Sequence, residues 1–189
     1  MERKPYRNAI RSKAMIRSAF IELLAEKPLE QITIVDIVNR SDLSRNTFYA
    51  HYQDIYAVLE EFQTETITQM NEALDEAVAN QIFDNPLPLM NRIAAYVEEN
   101  KETFRPLMSI EMSDAFINQL KDLIIVRINE HSDQTGIKDQ RGFFVMLDVL
   151  VFGFIHQVKC YLRGESELTS AEIVTEINKL FRAALPLYR

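Results

Sequence analysis

The segment from Ile32 to Leu59, ITIVDIVNRSDLSRNTFYAHYQDIYAVL, constrains the fold of this chain most, because two short helical patterns meet there at a tight polar break. The first pattern follows Thr33, whose hydroxyl can cap a helix N-terminus. Ser41-Asp42 interrupts it, and Ser44 can cap a second short helix over Arg45–His51. Two short helices joined by a tight turn make a helix-turn-helix, whose second helix can lie in a DNA major groove. The segment therefore predicts a local fold and nucleic-acid binding together.

Helical periodicity covers the rest of the chain as well, between breaks that contain Pro, Gly or runs of polar residues. We expect further helices at 9–26, 54–80, 89–100, 102–108, 113–132, 140–163 and from the capping box Thr169–Glu172 onward. The 140–163 pattern is apolar nearly all round, so we expect that helix to be buried on several sides. The predicted fold class is all-α: an N-terminal three-helix helix-turn-helix DNA-binding domain (1–53) followed by a larger helical effector and dimerisation domain (54–189).

Charge is distributed unevenly along the chain. The net charge is −7, but residues 1–59 contain nine Lys/Arg against seven Asp/Glu, and residues 1–17 alone contain six basic residues and one acid. DNA affinity depends on local positive charge that meets phosphates rather than on the total. An acidic body behind a basic N-terminal region is therefore compatible with DNA binding, although basic tails also occur as ordinary solvated surface.

The cysteine count and the apolar runs bear on the compartment. Cys160 is the only cysteine, so no intrachain disulfide can form, which suits a reducing cytoplasm. The longest apolar run, 143–155, is too short to span a bilayer and contains Asp148. We therefore expect a cytoplasmic protein without a membrane segment.

The segment resembles the DNA-binding domain of TetR/AcrR-type bacterial regulators at Thr33, Asp36-Ile37-Val38, Leu43-Ser44, Thr47-Phe48-Tyr49, His51-Tyr52 and Leu59. The similarity covers about a third of the chain, and beyond it only the helical layout agrees. The resemblance implies a homodimer whose last two helices form a four-helix bundle. It also implies an effector that binds in the C-terminal domain and alters the spacing of the two DNA-reading heads on an operator.

The resemblance also assigns roles to individual residues. Thr33 and Tyr49 would contact phosphates, and His51 and Tyr52 would place the end of the recognition helix against the backbone and core. The exposed first turn, from which family members reach base edges, would be Arg45, Asn46 and Thr47. The chemistry agrees, because Arg can pair bidentately with guanine and Asn with adenine, while Thr can touch a thymine methyl or a phosphate.

Two positions depart from the family pattern. Asp42 stands in the turn where a small residue, often Gly, is usual; Asp tolerates a left-handed backbone better than most residues. Ile55 stands at the start of the long helix, where a phosphate-binding Lys is common. We expect either Gln53 or a basic arm to supply the missing contact through the backbone or minor groove. That arm is formed by Arg3, Lys4 and Arg7.

Several residues of the C-terminal domain can line an effector pocket or belong to plain core. They are Phe104, Met108, Met112, Phe116, Met146, Phe152 and His156. His156, Cys160 and Asp148 share one helical face, but three ligands on a single helix cannot surround an ion, so we predict no metal. Asp148 needs a partner, which we expect across the dimer or on an effector. No phosphate loop or nucleophile–base spacing indicates an enzyme or a cofactor.

Three functions remain open on the sequence. The first is a homodimeric regulator, most readily a repressor, that reads a near-palindromic double-stranded DNA operator and responds to a small-molecule effector. The second keeps the DNA-binding head but uses the C-terminal domain to dock a protein partner, as an activator or co-regulator. The third is a helical enzyme or interaction protein with a vestigial head, whose signature would be the absence of salt-dependent DNA binding.

Overall fold

The computed structural model describes residues 4–79, 85–108, 113–130 and 137–189, without the side chains of 4–7, 78–79, 113–114 and 127–129. Within these ranges the chain forms nine α-helices and no strand, which confirms the all-α fold class. The helices are α1 (Lys4–Glu26), α2 (Ile34–Ser41), α3 (Arg45–Tyr49), α4 (Ile55–Ala79), α5 (Leu87–Glu99), α6 (Lys101–Leu107), α7 (Ser113–Asn129), α8 (Gln140–Arg163) and α9 (Ser170–Ala184). Two short 3-10 turns, Leu29–Gln31 and Leu185–Leu187, were not predicted.

The chain divides into two compact units, Met1–Glu65 and Thr66–Arg189, called here the head and the C-terminal unit. The division falls inside α4, so this single helix supplies packing residues to both units. The functional boundary expected after residue 53 stays a prediction.

The head has a densely filled core built from the apolar face of α1 and the inward sides of α2, α3 and the start of α4. Ile16, Phe20, Ile37, Phe48 and Val58 are all 0% exposed. A fully buried aromatic or branched side chain contributes about 1.5–3 kcal/mol relative to an exposed one. This core fixes the short α3, which has too few residues to be stable as an isolated helix.

The C-terminal unit is organised around α8, whose Phe143, Met146, Leu147, Phe154 and Leu162 are buried. The opposite face is not covered: Val145, Val149 and Phe152 are 62%, 63% and 53% exposed. The prediction that α8 is buried on several sides is therefore wrong for the single chain. The sequence of α8 is apolar all round because the helix has two apolar faces, one packed in the core and one exposed. Periodicity alone does not tell a buried apolar face from an exposed one.

By length and composition alone, α8 is apolar enough to cross a membrane. The run 143–155 is shorter than a bilayer, but the whole helix has 24 residues. One face of it packs in the core of the C-terminal unit, against residues of α7 and α9.

The charged residue of α8 is paired within the chain. The Asp148 carboxylate lies 3.5 Å from the Lys121 ammonium of α7. Asp148 is exposed rather than enclosed by apolar neighbours. The expectation that its partner comes from across a dimer or from an effector is therefore wrong. Residues next to Asp148 in the sequence point in different directions around the helix, so an apolar sequence on both sides does not bury the carboxylate.

The start of α8 is tied to the C-terminal residues. The Tyr188 carbonyl accepts hydrogen bonds from the backbone N–H groups of Lys138 and Asp139, at 2.8 and 3.3 Å. The Tyr188 ring packs edge-on against Phe143, with 6.2 Å between centroids. A Cβ on Gly142 would lie 2.8 Å from the Tyr188 ring and 2.3 Å from the Asp139 carboxylate, so a larger residue there would force these side chains to shift.

Candidate nucleic-acid interface

Helix α2 begins at a complete capping box. The Asp36 N–H donates to the Thr33 hydroxyl oxygen at 3.2 Å, and the Asp36 carboxylate accepts from the Thr33 N–H at 2.8 Å. The Thr33 hydroxyl also donates to that carboxylate at 2.7 Å, and the Lys27 ammonium reaches it at 2.8 Å. The bonds from Lys27 and Thr33 lower the pKa of the Asp36 carboxyl to about 2. The Thr33 hydroxyl hydrogen is thus engaged at Asp36, and the exposed Thr33 can meet a phosphate only by exchanging that bond.

The turn between α2 and α3 has the left-handed residue that the sequence placed there. Asp42 has φ 53° and ψ 42° and is the only non-glycine residue with positive φ in the described part of the chain. The Leu43 N–H then donates to the Val38 carbonyl at 2.9 Å, closing the end of α2 in the manner of a Schellman motif. The tight turn therefore forms without the glycine usual in the family.

Helix α3 presents a polar face outward and one aromatic ring inward. The Ser44 hydroxyl caps it by accepting the Thr47 N–H at 3.1 Å. Arg45 and Asn46 are exposed, Thr47 is half-buried, and Tyr49 is 57% exposed. Phe48 is 0% exposed and meets Tyr49 edge-on at 5.8 Å. The predicted base-reading residues thus lie together at one helix end, and the buried ring holds that helix from behind.

His51 is held by a residue that the sequence did not reveal. The Ser12 hydroxyl lies 3.0 and 3.1 Å from the carbonyl oxygens of Asn8 and Ala9. Its oxygen lies 2.8 Å from His51 Nε2. The two side chains are thus within hydrogen-bonding distance, and the tautomer of the imidazole decides which of them donates. Ser12 thereby orients the His51 ring at the end of α3, and no local pattern signals a pair 39 positions apart.

Tyr52 lies in the core rather than on the outer surface. It is 6% exposed, and its hydroxyl donates to the Glu61 carboxylate of α4. Burial and this hydrogen bond raise the pKa of the Tyr52 phenol well above its ordinary value. The residue secures the chain just after α3, which agrees with a role in placing the end of that helix against the core.

Part of the basic N-terminal charge is neutralised within the head. The Lys13 ammonium lies 2.5 Å from Glu61, and the Arg17 guanidinium forms two bonds of 2.5 Å to Glu65. Arg17 also stacks over the Phe62 ring at 4.2 Å. Arg3 and the side chains of Lys4 and Arg7 lie outside the described residues. Lys13 and Arg17 therefore serve the fold, while Arg11 is exposed.

The start of α4 has an apolar residue where a phosphate contact was expected. Ile55 is half-buried there, and the Asp54 carboxylate accepts the Ala57 N–H at 2.9 Å as a cap. Neither Asp54 nor Ile55 can supply a positive charge to a phosphate. The absence of the usual Lys at position 55 is therefore not made good by the residue beside it.

The C-terminal unit separates the predicted pocket residues into three groups. Phe104, Met108 and Phe116 line one cavity with Tyr96, Phe154 and Lys159. Met146 packs in the core beside Phe143 and Leu147. Phe152 and His156 stack in parallel, 6.4 Å between centroids, on the exposed face of α8 and so do not face the cavity. Met112 lies outside the described residues.

His156 and Cys160 contact each other on α8. The Cys160 sulfur lies 3.6 Å from the Nε2 atom of His156, which is one turn earlier on α8. No group of three or more His, Cys, Asp or Glu that can hold a metal ion occurs among the described residues.

Comparison with known proteins places this architecture. Residues 84–183, more than half of the chain, match the family described as "Transcriptional regulator C-terminal region" (TetR_C_8). A Bacillus subtilis protein, the HTH-type transcriptional regulator YxbF, is 22% identical over 128 residues, which are 68% of this chain and 29% of that relative. The match thus spans under a third of the relative's length.

Two solved structures share the fold. Thermus thermophilus FadR, described as a TetR-family transcriptional repressor in complex with lauroyl-CoA, superimposes with a TM-score of 0.60 and 18% identity over 90% of this chain and 93% of that one. The dihydroxyacetone kinase operon activator DhaS gives a TM-score of 0.66 and 15% identity over 95% and 99% of the two chains. With the family match over residues 84–183, the helix-turn-helix geometry of the head leads to one conclusion: the chain belongs to the TetR family of transcriptional regulators.

Proposed function

We propose that this TetR-family regulator acts as a homodimeric repressor that binds a near-palindromic operator and is released by an effector bound in its C-terminal unit. The observation that carries the proposal is the first turn of α3. Its Arg45 and Asn46 side chains are exposed together, while Phe48 anchors the same helix in a filled core. Side chains on a fixed helix end are what reading base edges in a major groove requires.

Phosphate contacts would surround this reading helix. The hydroxyl of the exposed Tyr49 and the imidazole of His51, which Ser12 orients, are the nearest candidates on the same surface. Thr33 would join them if its hydroxyl exchanged Asp36 for a phosphate. Lys13 and Arg17 are paired internally, so the basic arm of Arg3, Lys4 and Arg7 would supply the charge that Ile55 does not.

The uncovered face of α8 supports a homodimer. Val145, Val149 and Phe152, called here the α8 stripe, expose large apolar side chains at successive turns of one helix. Gly153 lies beside them, and a Cβ placed on it would meet nothing within 4 Å. A glycine inside a helix costs about 0.5–1 kcal/mol, and no described residue packs against Gly153 to account for it. Close packing of a second copy's helix against this face would account for both features. Most soluble oligomers have two-fold symmetry, which brings the same surface of the two copies together.

The C-terminal cavity supports control by a small molecule. Its lining is predominantly apolar, with few polar groups, which is the usual character of a ligand site. FadR, which has a similar fold, is described in complex with lauroyl-CoA, which supports a ligand-binding role for this architecture. We therefore place the effector between α4, α5, α6, α7 and α8, with Phe104, Met108 and Phe116 in contact with it. No catalytic role is proposed.

The alternative is an activator whose C-terminal unit docks a protein partner. DhaS, which has a similar fold, is described as an operon activator, so this architecture is not confined to repressors. In that case the α8 stripe would bind a different protein instead of a second copy. The molecular mass in dilute solution separates the two, because only the homodimer doubles the mass of the isolated chain.

The proposal is tested by titrating DNA that the protein selects from a random library, in mobility-shift assays at several salt concentrations. Arg45→Ala is expected to weaken binding about 10-fold or more and to relax sequence preference at one position. Arg7→Ala is expected to weaken binding to all sequences alike and to reduce the salt dependence.

Arg105→Ala is the matched control, because it removes an exposed arginine from α6 in the C-terminal unit. It should leave both affinity and salt dependence unchanged. Equal binding by Arg45→Ala, Arg7→Ala and the unaltered protein would contradict the proposed DNA contacts.

A further inference from the structure

The positively charged side chains of the head fall into two groups, those that face a carboxylate and those that do not. The structure describes the side chains of six Lys and Arg residues in the head. Two of the six, Arg11 and Arg45, are exposed and form no ion pair within the described residues. The other four are paired: Lys13 with Glu61, Arg17 with Glu65, Lys27 with Asp36 and Arg40 with Glu26. Since Arg45 lies in the first turn of α3, Arg11 is the unpaired cation outside the helix-turn-helix.

Arg11 lies beside the end of the recognition helix. The hydroxyl of the neighbouring Ser12 is 2.8 Å from His51 Nε2 at the end of α3, and the next residue, Lys13, is turned toward α4. Successive residues of an α-helix are rotated by about 100° around its axis. The step from Lys13 to Ser12 therefore leads from α4 to α3, and the step to Arg11 leads past that contact into solvent.

The start of α1 has no acid to balance its basic residues. Positions 7 and 11 are both arginine and lie one helical turn apart, and no Asp or Glu occurs between residues 3 and 21. Like charges at this spacing destabilise a helix. A bound anion would relieve this repulsion, and the phosphates of double-stranded DNA are the anions that lie beside a helix docked in the major groove.

We propose that Arg11 binds a backbone phosphate of the operator beside the half-site that α3 reads, and that it supplies positive charge that Ile55 does not. This inference rests on the proposed DNA binding. It extends that binding surface along α1, beyond the N-terminal arm of Arg3, Lys4 and Arg7. A homodimer has two heads, so it makes this contact twice.

The test is a mobility-shift titration of the selected DNA at several salt concentrations with Arg11→Gln and with the unaltered protein. The plot of log affinity against log salt concentration should become shallower by about 2 for the homodimer, because each phosphate contact releases about 0.9 counterion. Affinity should fall equally for the selected sequence and for random DNA, because a phosphate contact contains no sequence information. An unchanged slope would overturn the proposal, and so would a loss of affinity confined to the selected sequence.

Arg40→Gln is the matched control for charge. It removes an exposed arginine of the same unit that already faces Glu22 and Glu26, at 3.4 and 2.8 Å, so the slope should not change. Arg11→Lys should keep the slope of the unaltered protein, because lysine binds phosphate as a point charge. An equal loss of slope in Arg40→Gln and Arg11→Gln would mean that the net charge of the head decides the affinity, and would overturn a local contact.

Ethylation of single phosphates locates the contact on the DNA. One phosphate in each half-site should block binding of the unaltered protein when it is ethylated, but should not block binding of Arg11→Gln. Identical maps for the two proteins would overturn the proposal. Without DNA, Arg11→Gln should melt at a temperature no lower than the unaltered protein, because the substitution removes repulsion and breaks no described contact. A clearly lower melting temperature would mean that Arg11 serves the fold instead.

Failure of this inference and failure of the proposed function give different results. Salt-dependent binding of the selected DNA with equal slopes for Arg11→Gln and the unaltered protein would overturn the role of Arg11 alone. Absence of salt-dependent binding by the unaltered protein would overturn the proposed function, and the role of Arg11 with it.

Discussion

The head and the C-terminal unit use the same kind of helix for different purposes. In the head, inward side chains from four helices are 0% exposed, and ion pairs such as Arg40–Glu26 and Lys27–Asp36 join the helices at the surface. In the C-terminal unit, the core is divided by two cavities, and one face of α8 stays uncovered. A rigid head suits the placement of base-reading residues to within a fraction of an ångström, whereas a cavity and an uncovered face suit binding of other molecules.

The largest expected effect comes from creating a cavity in the core of the head. Phe48→Ala removes a ring that is 0% exposed and should lower the free energy of unfolding by about 3–5 kcal/mol. Urea denaturation followed by circular dichroism measures this. Phe152→Ala removes the same ring from a residue that is 53% exposed and should cost far less when the protein is dilute. Similar losses for the two variants would mean that the two regions do not differ as described.

The α8 stripe can be tested through association. Phe152→Ser should raise the dissociation constant of the homodimer about 10- to 100-fold, because burial of a phenylalanine against a partner contributes about 1.5–3 kcal/mol. Sedimentation at several protein concentrations measures the change. Val126→Ser removes an equally exposed apolar residue from α7, outside the stripe, and should leave association unaltered. A dimer that tolerates Phe152→Ser would place the interface elsewhere.

The capping box of α2 makes the head sensitive to acid. The pKa of the Asp36 carboxyl is about 2, below its ordinary 3.8, because of the bonds from Lys27 and Thr33. A lowered folded-state pKa stabilises the head above about pH 4, and that contribution is lost as the pH falls from about 4 to 2. Asp36→Asn should therefore lower the melting temperature at about pH 6 and flatten its decline between about pH 4 and 2. Glu30→Gln, at an exposed acid of the head, should leave the slope as it is.

The smallest expected effect comes from Gly153, where one substitution should stabilise the monomer and weaken the association of the dimer. Gly153→Ala places a methyl group in open space within an α-helix and should stabilise the isolated chain by about 0.5–1 kcal/mol. If a partner's helix approaches closely at this point, the same methyl should weaken association. Denaturation at low and high protein concentration reveals the two effects. A gain in stability at both concentrations would exclude Gly153 from the interface.

Sequence reasoning succeeded where local chemistry decides the outcome. The predicted helix 140–163 coincides with α8, which Gly164 follows in the left-handed conformation, and the head helices follow from Thr33, Asp42 and Ser44. These residues act on neighbours three to five positions away, so a single sequence contains the whole signal.

Sequence reasoning failed where side chains from distant positions in the sequence meet. The periodicity of α8 showed no preference between its faces, so Phe152 and His156 were assigned to the pocket and Phe154 was not. The pairing of Lys13 with Glu61 and of Ser12 with His51 joins positions far apart in sequence, which only the packed fold brings together. Charge counting therefore overstated the free positive charge of the N-terminal region.

The tie between Tyr188 and the start of α8 has a consequence for synthesis on the ribosome. The two N–H groups of Lys138 and Asp139 find their acceptor in a residue translated roughly 50 positions later. At ~5–20 residues per second, that acceptor follows several seconds after the donors. The head can fold while this delay passes, whereas α8, the most apolar helix, waits for the last residues before its first turn is fastened.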